Sequence, residues 1–205
     1  MRVVDAVSLR SRRRKLRLLF DELRPTAATS IVDVGVDEVG FGAAGGQRGC
    51  STHNFLEELY PWPARITAVG LHDGASFRSR YPGVRYVRAD ACELPFADGA
   101  FEVYFSNAVI EHVGDRDRQR AFVEEAVRVA DRVFITTPNR WFPIELHTGL
   151  PLVHWLPQAA AARAYRLARR PWAAENRLLG SGDLRGLFPV PVRIVNLGLT
   201  LVAIT

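Results

Sequence analysis

The spacing of apolar and polar residues along the chain predicts short strands that alternate with helices. Several runs of four to six residues are apolar or nearly so, and glycine, proline or aspartate bounds them. Such runs are typical of strands that are buried on both faces of a parallel sheet. The predicted strands are 30–35, 66–71, 84–88, 101–106, 133–137, 192–195 and 199–204.

Helical spacing is found in the segments between and around these strands. In the first of them, apolar residues recur at steps of seven, four and three, and Pro25 ends the pattern. The second begins at Ser51 or Thr52, either of which can cap a helix. The predicted helices are 8–24, 51–60, 117–130 and 159–170.

Alternation of strands and helices predicts an α/β fold with a mostly parallel, seven-stranded sheet and helices on both faces. The 205 residues contain no internal repeat and no linker, so we expect a single domain. Its predicted parts are a basic N-terminal helix (1–24), a core (30–138), a lid (139–188) and C-terminal strands (189–205).

Charge is concentrated at the start of the chain. Residues 1–24 hold eight basic and three acidic side chains, and the rest is balanced, so the net charge of +5 resides in the first helix. Lys15 is the only lysine, since every other basic side chain is arginine. The basic face either is solvated or contacts an anionic membrane surface or nucleic acid. The neutral remainder argues against nucleic acid.

The chain has no apolar run of 18 residues, and the basic cluster near its start is not followed by an apolar one. We therefore expect no membrane span and no secretory signal. Cys50 and Cys92 lack metal-ligand spacing, which favours reduced cysteines in the cytoplasm. We expect a cytoplasmic protein, with membrane association through the basic helix as an alternative.

Polar residues follow the first four predicted strands, where an open α/β sheet binds its ligands. A carboxylate after the second strand can accept ribose hydroxyls, and one after the third can accept an adenine amino group. The pattern predicts a pocket for an adenosine-containing cofactor. The residues in question are Asp33, Gly35, His72, Asp73, Asp90, Ser106 and Asn107.

Two segments carry a resemblance to a known family. Residues 88–103 (RADACELPFADGAFEV) and 106–113 (SNAVIEHV) resemble the consecutive "GDA-x-x-LPF" and "S-x-x-V-L-E-H-V" segments of class I S-adenosylmethionine-dependent methyltransferases, type 11 group. The resemblance extends from about 31 to 157 and implies a Rossmann-like fold. It also implies S-adenosyl-L-methionine as cofactor and methyl transfer to a small-molecule or lipid-linked acceptor.

The resemblance further implies which residues bind the cofactor. Those after the first and fourth strands would contact its methionine part, and Asp90 would contact the adenine. The ribose-binding acid is Asp73 or His72. The implied cofactor-binding residues are Asp33, Gly35, Asp73, Asp90, Ala91, Ser106 and Asn107.

The first glycine motif departs from that of the family. Where the family usually has D-x-G-x-G-x-G, residues 33–39 read DVGVDEV, so the second and third glycines are missing. The alternative to an enzyme is therefore a non-catalytic methyltransferase-like protein that acts as a binding partner. Residues 40–45 spell G-x-G-x-x-G, but the motif does not open a helix directly after a strand, which argues against nicotinamide binding.

His112 and Arg140 are the candidate catalytic residues. His112 can act as a general base near neutral pH, and Arg140 can pair with an anionic acceptor group. In some relatives an E-x-x-E-H run binds a metal, but Ala108 stands at its first acid, so we expect no metal. Residues 139–157 should form the acceptor side of the pocket, with apolar cover from Trp141, Phe142, His147 and Trp155.

Overall fold

The computed structural model describes residues 3–37, 54–145 and 148–205, except for the side chains of residues 3–8 and 158. His147, the glycines of segment 40–46 and the predicted capping residues 51–52 lie outside the described residues. The strands are β1 (Ile31–Val34), β2 (Ile66–Gly70), β3 (Arg85–Arg88), β4 (Phe101–Asn107), β5 (Ala130–Pro138), β6 (Arg193–Asn196) and β7 (Thr200–Ile204).

The described helices are α1 (Val3–Leu23), α2 (Phe55–Leu59), α3 (Ala75–Arg80), α4 (Arg116–Val129), α5 (Gln158–Leu167) and α6 (Ser181–Arg185). Short 3₁₀ turns occur at Pro63–Arg65, Val153–Trp155 and Pro171–Glu175. The helix α4 begins in the manner its sequence favours, because the side chain of Asp115 accepts a hydrogen bond from the backbone nitrogen of Arg118.

The strands form one seven-stranded sheet in the order β3-β2-β1-β4-β5-β7-β6. Strands β1 to β5 run parallel to one another, and β7 is antiparallel to both β5 and β6. Chain order reverses between β1 and β4, which is the switch point where open α/β sheets bind ligands. The predicted α/β class and the mostly parallel sheet are confirmed.

Side chains of successive strand residues enter two separate cores, one on each face of the sheet. Val32 and Val34 pack with α4 and α6, whereas Ile31 packs with α1, α2 and α3. The same alternation holds in β4, where Tyr104 joins the first core and Phe105 the second. Helices therefore cover both faces, as predicted.

The basic helix α1 is packed against the body of the domain. Leu19 is fully buried in the second core, and Leu16, Leu18, Phe20 and Leu23 pack around it. The opposite face exposes Arg10, Arg13, Arg14 and Arg17 to solvent. The helix is therefore a structural part of the domain with a charged outer surface.

Two differences from the sequence prediction concern short or extended elements. The helices α3 and α6 were not predicted, and β5 begins at Ala130 rather than at residue 133. Both helices have only five or six residues, which is too few to establish a helical period. Within the described residues, none of the helices combines the length and the hydropathy needed to cross a bilayer.

Candidate functional site

The switch point brings together the carboxyl ends of β1 and β4. Asp33 of β1 lies opposite Phe105 of β4, so Gly35 and Asn107 follow their strands at the same edge of the sheet. Ser106 is fully buried, and its hydroxyl donates to the carbonyl of Val34 at 2.8 Å. The residues predicted at the ends of the first and fourth strands are therefore neighbours, and the Ser106 hydrogen bond links the ends of β1 and β4.

The chain leaves β1 through Gly35, which has a φ of +94°. A Cβ atom at this position would lie 2.2 Å from Cγ2 of Val109, so only glycine fits. The backbone nitrogens of the three described residues that follow β1 are all occupied within the protein. Those of Gly35 and Val36 donate to the carbonyl of Val69, and that of Asp37 donates to the side-chain oxygen of Asn54 at 2.8 Å.

A buried pair of carboxyl groups lies behind this turn. Asp33 and Glu57 are 5% and 6% exposed, and their carboxyl groups are close enough to interact electrostatically. Burial raises the pKa of Glu57 to about 7, and burial together with the neighbouring carboxyl group raises the pKa of Asp33. Two acids this close retain a proton between them, so the pair carries less than two negative charges near neutral pH.

Asn107 is the centre of a polar network at the end of β4. Its side-chain oxygen accepts hydrogen bonds from Lys15 Nζ and from Thr136 Oγ1, the latter at 2.8 Å. Two donors identify this atom as the oxygen and leave the amide nitrogen without a hydrogen-bond partner among the described residues. Lys15 is 6% exposed, and its ammonium lies 5.5 Å from the centre of the Phe55 ring.

The chain turns sharply after Asn107. Ala108 has a φ of +57°, an uncommon conformation for a residue with a side chain and one that is frequent at functional sites. The turn carries Glu111, which is fully buried and accepts a hydrogen bond from Thr137 Oγ1 at 3.0 Å. His112 Nε2 lies 3.9 Å from Glu111 Oε1, and the His112 side chain is 42% exposed.

Asp90, the predicted adenine contact, is held by an arginine. Arg118 Nη2 donates to both carboxylate oxygens, at 3.0 and 2.7 Å, and the backbone nitrogen of Cys92 donates to one of them. The Arg118 hydrogen bonds lower the pKa of Asp90, so it is ionised. A carboxylate has about four acceptor positions, so Asp90 can still accept a further donor.

The second strand is followed by exposed polar residues. One carboxylate oxygen of Asp73 accepts a hydrogen bond from the backbone nitrogen of Ala75 at 2.9 Å, which stabilises the first turn of α3. The side chain of His72 is exposed, and its carbonyl accepts the hydroxyl of Tyr86. The second carboxylate oxygen of Asp73 accepts no hydrogen bond from the described residues.

Beyond β5, residues of the predicted lid and of α4 line an open cavity of about 400 Å³. Arg140 lines it together with Glu145, His154, Tyr165 and Asn176. Two buried polar atoms in this wall, His154 Nδ1 and Asn176 Nδ2, have no hydrogen-bond partner among the described residues. His154 Nε2 lies 2.9 Å from the carbonyl of Phe142 and donates a hydrogen bond to it.

The predicted acceptor residues divide into two groups. Arg140 lines the cavity, whereas Trp141 and Trp155 lie outside it and are 62% and 41% exposed. Their rings are 6.3 Å apart, and Trp155 Nε1 donates to the carbonyl of Arg140. His112, which follows β4, is also not part of the cavity wall, so the structure does not bring the two candidate catalytic residues together in this cavity.

Sequence reasoning missed three residues of the site, which are Lys15, Glu57 and Arg118. Each is bound to a partner that is distant in the chain. Lys15 and Asn107, for example, are 92 positions apart. The one signal available was compositional, because a chain with 27 basic residues contains a single lysine.

Residues 47–132 match the sequence model of the family described as "Methyltransferase domain". A probable S-adenosylmethionine-dependent methyltransferase of Mycobacterium tuberculosis H37Rv is 41% identical over 69 residues, which are 32% of this chain and 24% of that protein. The chain therefore matches about a quarter of the length of this curated relative.

Two solved structures illustrate the similarity of fold. YcgJ from Bacillus subtilis has a TM-score of 0.57 at 16% identity, over 89% of this chain and 70% of that one. The N-methyltransferase NodS from Bradyrhizobium japonicum, in complex with S-adenosyl-L-homocysteine, has a TM-score of 0.55 at 16% identity. That alignment covers 94% of this chain and 85% of NodS.

Proposed function

We propose that this chain, which has the fold and central segment of a class I methyltransferase of type 11, transfers a methyl group from S-adenosyl-L-methionine to an acceptor. The predicted resemblance is confirmed by the family match over residues 47–132 and by the shared fold. The observation that carries the proposal is that family match. The strand order supports it, because the reversal of chain order between β1 and β4 is where open α/β sheets bind ligands.

The polar groups along this sheet edge suit the cofactor. An ionised Asp90 can accept from an adenine amino group, and Asp73 has a carboxylate oxygen for ribose hydroxyls. The amide nitrogen of Asn107 is a donor at the methionine end. The cofactor supplies an activated methyl group on a sulfonium, so the protein mainly has to bind and align the two reactants.

His112 is the proposed base for acceptors that must lose a proton. A carboxylate stabilises a protonated imidazole, and Glu111 provides one at 3.9 Å. Arg140 is the proposed acceptor-binding residue, since it lines the cavity beyond β5.

The acceptor itself is proposed to be a small or lipid-linked molecule of mixed polarity. A cavity of about 400 Å³ suits a small organic molecule, and its wall combines charged groups with two unpaired polar atoms. The lid around it also exposes apolar side chains, including Trp141, Leu152 and Leu156, which could cover an acyl or prenyl chain.

Cofactor binding is the first test. Calorimetry should show binding of S-adenosyl-L-homocysteine to the full chain, and Asp90→Ala should weaken it by about 1–3 kcal/mol. Asp131→Ala, which removes an exposed carboxylate near the start of β5, is the matched control and should bind as the wild type does. A folded wild-type protein that does not bind millimolar ligand would favour the non-catalytic alternative.

The acceptor class is tested by following the methyl group. The chain is incubated with methyl-labelled S-adenosyl-L-methionine and separate lipid and aqueous extracts of its source cells. Label in the organic phase indicates a lipid-linked acceptor, and label in the aqueous phase indicates a small polar one. Arg140→Ala should reduce turnover while leaving S-adenosyl-L-homocysteine affinity unchanged. Equal losses in both would contradict an acceptor role for Arg140.

A further inference from the structure

We propose that Lys15, from the N-terminal helix, binds the α-carboxylate of the cofactor's methionine part. The inference rests on the proposed function and assigns a residue that the family's motif segments do not include. Three features of the described residues support it. They are the position of Lys15, the hydrogen bonding of the backbone nitrogens after β1, and the neutral partner of the Lys15 ammonium.

Lys15 lies at the switch point although it belongs to a helix outside the sheet. Its ammonium bonds to Asn107 at the end of β4 and lies 5.5 Å from the ring centre of Phe55, the first residue of α2. The helix α2 follows β1 in the described chain, so Lys15 contacts the elements on both sides of the site. A ligand bound between β1 and β4 would therefore lie close to this ammonium.

The backbone after β1 offers no donor to an anion over its described stretch. In a glycine-rich phosphate- or carboxylate-binding loop, backbone nitrogens point toward the ligand. Here the nitrogens of Gly35, Val36 and Asp37 all donate to protein acceptors, which are the Val69 carbonyl and the Asn54 side chain. Because residues 37 and 39 are Asp and Val, this arrangement accompanies the loss of two glycines from the motif. A cationic side chain can supply the hydrogen-bond donor to an anion that these three nitrogens do not provide.

The ammonium of Lys15 is buried against a neutral partner. Its hydrogen-bond acceptor is the amide oxygen of Asn107 rather than a carboxylate. The charged groups that face it are Arg12 of the same helix and Glu111 beyond β4. Burial lowers the pKa of Lys15 to about 8, with Arg12 adding to the decrease and Glu111 opposing it. A buried cation without a directly bonded anion destabilises the free protein, and a ligand carboxylate would offset that cost.

The test compares two ligands that differ in the amino-acid group, which includes the carboxylate. S-Adenosyl-L-homocysteine contains the amino-acid group, whereas 5′-methylthioadenosine keeps the adenosine and the thioether but lacks it. Calorimetric affinities of both are measured for the wild type, Lys15→Met and Lys15→Gln. Arg17→Met, which removes an exposed charge from the same helix, is the matched control.

Both neutral Lys15 variants should lose about 10- to 100-fold in affinity for S-adenosyl-L-homocysteine and keep their affinity for 5′-methylthioadenosine. Arg17→Met should bind both ligands as the wild type does. The melting temperatures of the two Lys15 variants should equal or exceed that of the wild type, because these variants remove an uncompensated buried charge.

Three results would overturn the inference. These are unchanged S-adenosyl-L-homocysteine binding by Lys15→Met, an equal loss for both ligands, or unfolding of both neutral variants, which would make Lys15 a structural residue. If the wild type binds neither ligand, the proposed function fails, and with it the basis of this inference.

Discussion

At the scale of single residues, the buried Asp33–Glu57 pair predicts an unusual dependence of stability on pH. Because the pKa of Glu57 is raised from 4.5 to about 7, the folded state keeps a proton that the unfolded state releases. The free energy of unfolding should therefore fall as pH rises between these two values. Glu57→Gln removes this effect and should stabilise the protein by about 1–3 kcal/mol at about pH 8, with little gain near pH 4.5.

Urea denaturation at both pH values measures this difference. Glu124→Gln, at an exposed position of α4, is the control and should change stability little at either pH. An equal gain from Glu57→Gln at both pH values would mean that Glu57 is not protonated in the folded state.

Gly35 provides a second residue-scale prediction. Alanine at this position would combine a φ of +94° with a 2.2 Å contact to Val109, whereas Gly99 has a φ of +61° and open space around it. Gly99→Ala should therefore cost about 1 kcal/mol from backbone strain alone, and Gly35→Ala about 2–4 kcal/mol. Chemical denaturation of both variants measures the difference, and equal costs would show that Val109 moves aside readily.

At the scale of elements, the helix α1 is expected to stabilise the domain. Leu19 is fully buried in the core beneath the sheet, so Leu19→Ala should lower the free energy of unfolding by about 2–5 kcal/mol. Leu167→Ala in α5 is the control, because that side chain is 79% exposed. Thermal melts distinguish the two variants. A negligible effect of Leu19→Ala would mean that α1 is a dispensable arm.

The sequence pattern located the strands well because buried parallel strands leave a strong local signal. Apolar runs that are bounded by turn residues placed β1 to β4 within one or two residues. The helices α3 and α6 were missed because five or six residues with few apolar positions show no period. The spacing of apolar residues therefore predicted the elements that are long or uniformly buried.

The site was less predictable because its contacts join distant residues. Asp90 was recognisable from a motif, but its partner Arg118 lies in a helix that is 28 positions away. Lys15 stood among arginines, so local pattern favoured a solvated face, whereas the three-dimensional structure buries it against Asn107. Long-range pairing of this kind leaves no spacing signal in a single sequence.

At the scale of the whole molecule, the charge distribution predicts contact with anionic membranes. The outer face of α1 exposes four arginines, while the remainder of the chain is electrically balanced. The protein should co-sediment with phosphatidylglycerol vesicles at low salt and not with phosphatidylcholine vesicles. Each surface arginine contributes about 1 kcal/mol, so Arg13→Glu or Arg17→Glu, which changes the charge by two units, should weaken the binding by roughly thirtyfold.

The control for this prediction is Arg120→Glu, which reverses an exposed charge on α4 and should leave vesicle binding nearly unchanged. Uniform losses in all three variants would indicate attraction to net charge rather than to one face. Equal binding to both vesicle types would indicate insertion of the exposed lid residues instead.

Because the only lysine is buried, its chemical modification can measure how often α1 is displaced from the rest of the domain. An amine-reactive acylating reagent modifies neutral lysine amines that solvent can reach, and the peptide that contains Lys15 can be identified by mass spectrometry. Because the side chain is 6% exposed, acylation should be slow in the native state and should follow transient displacement of α1. The acylation rate of one peptide would then record how often the N-terminal helix lifts from the sheet edge, with no variant or attached probe.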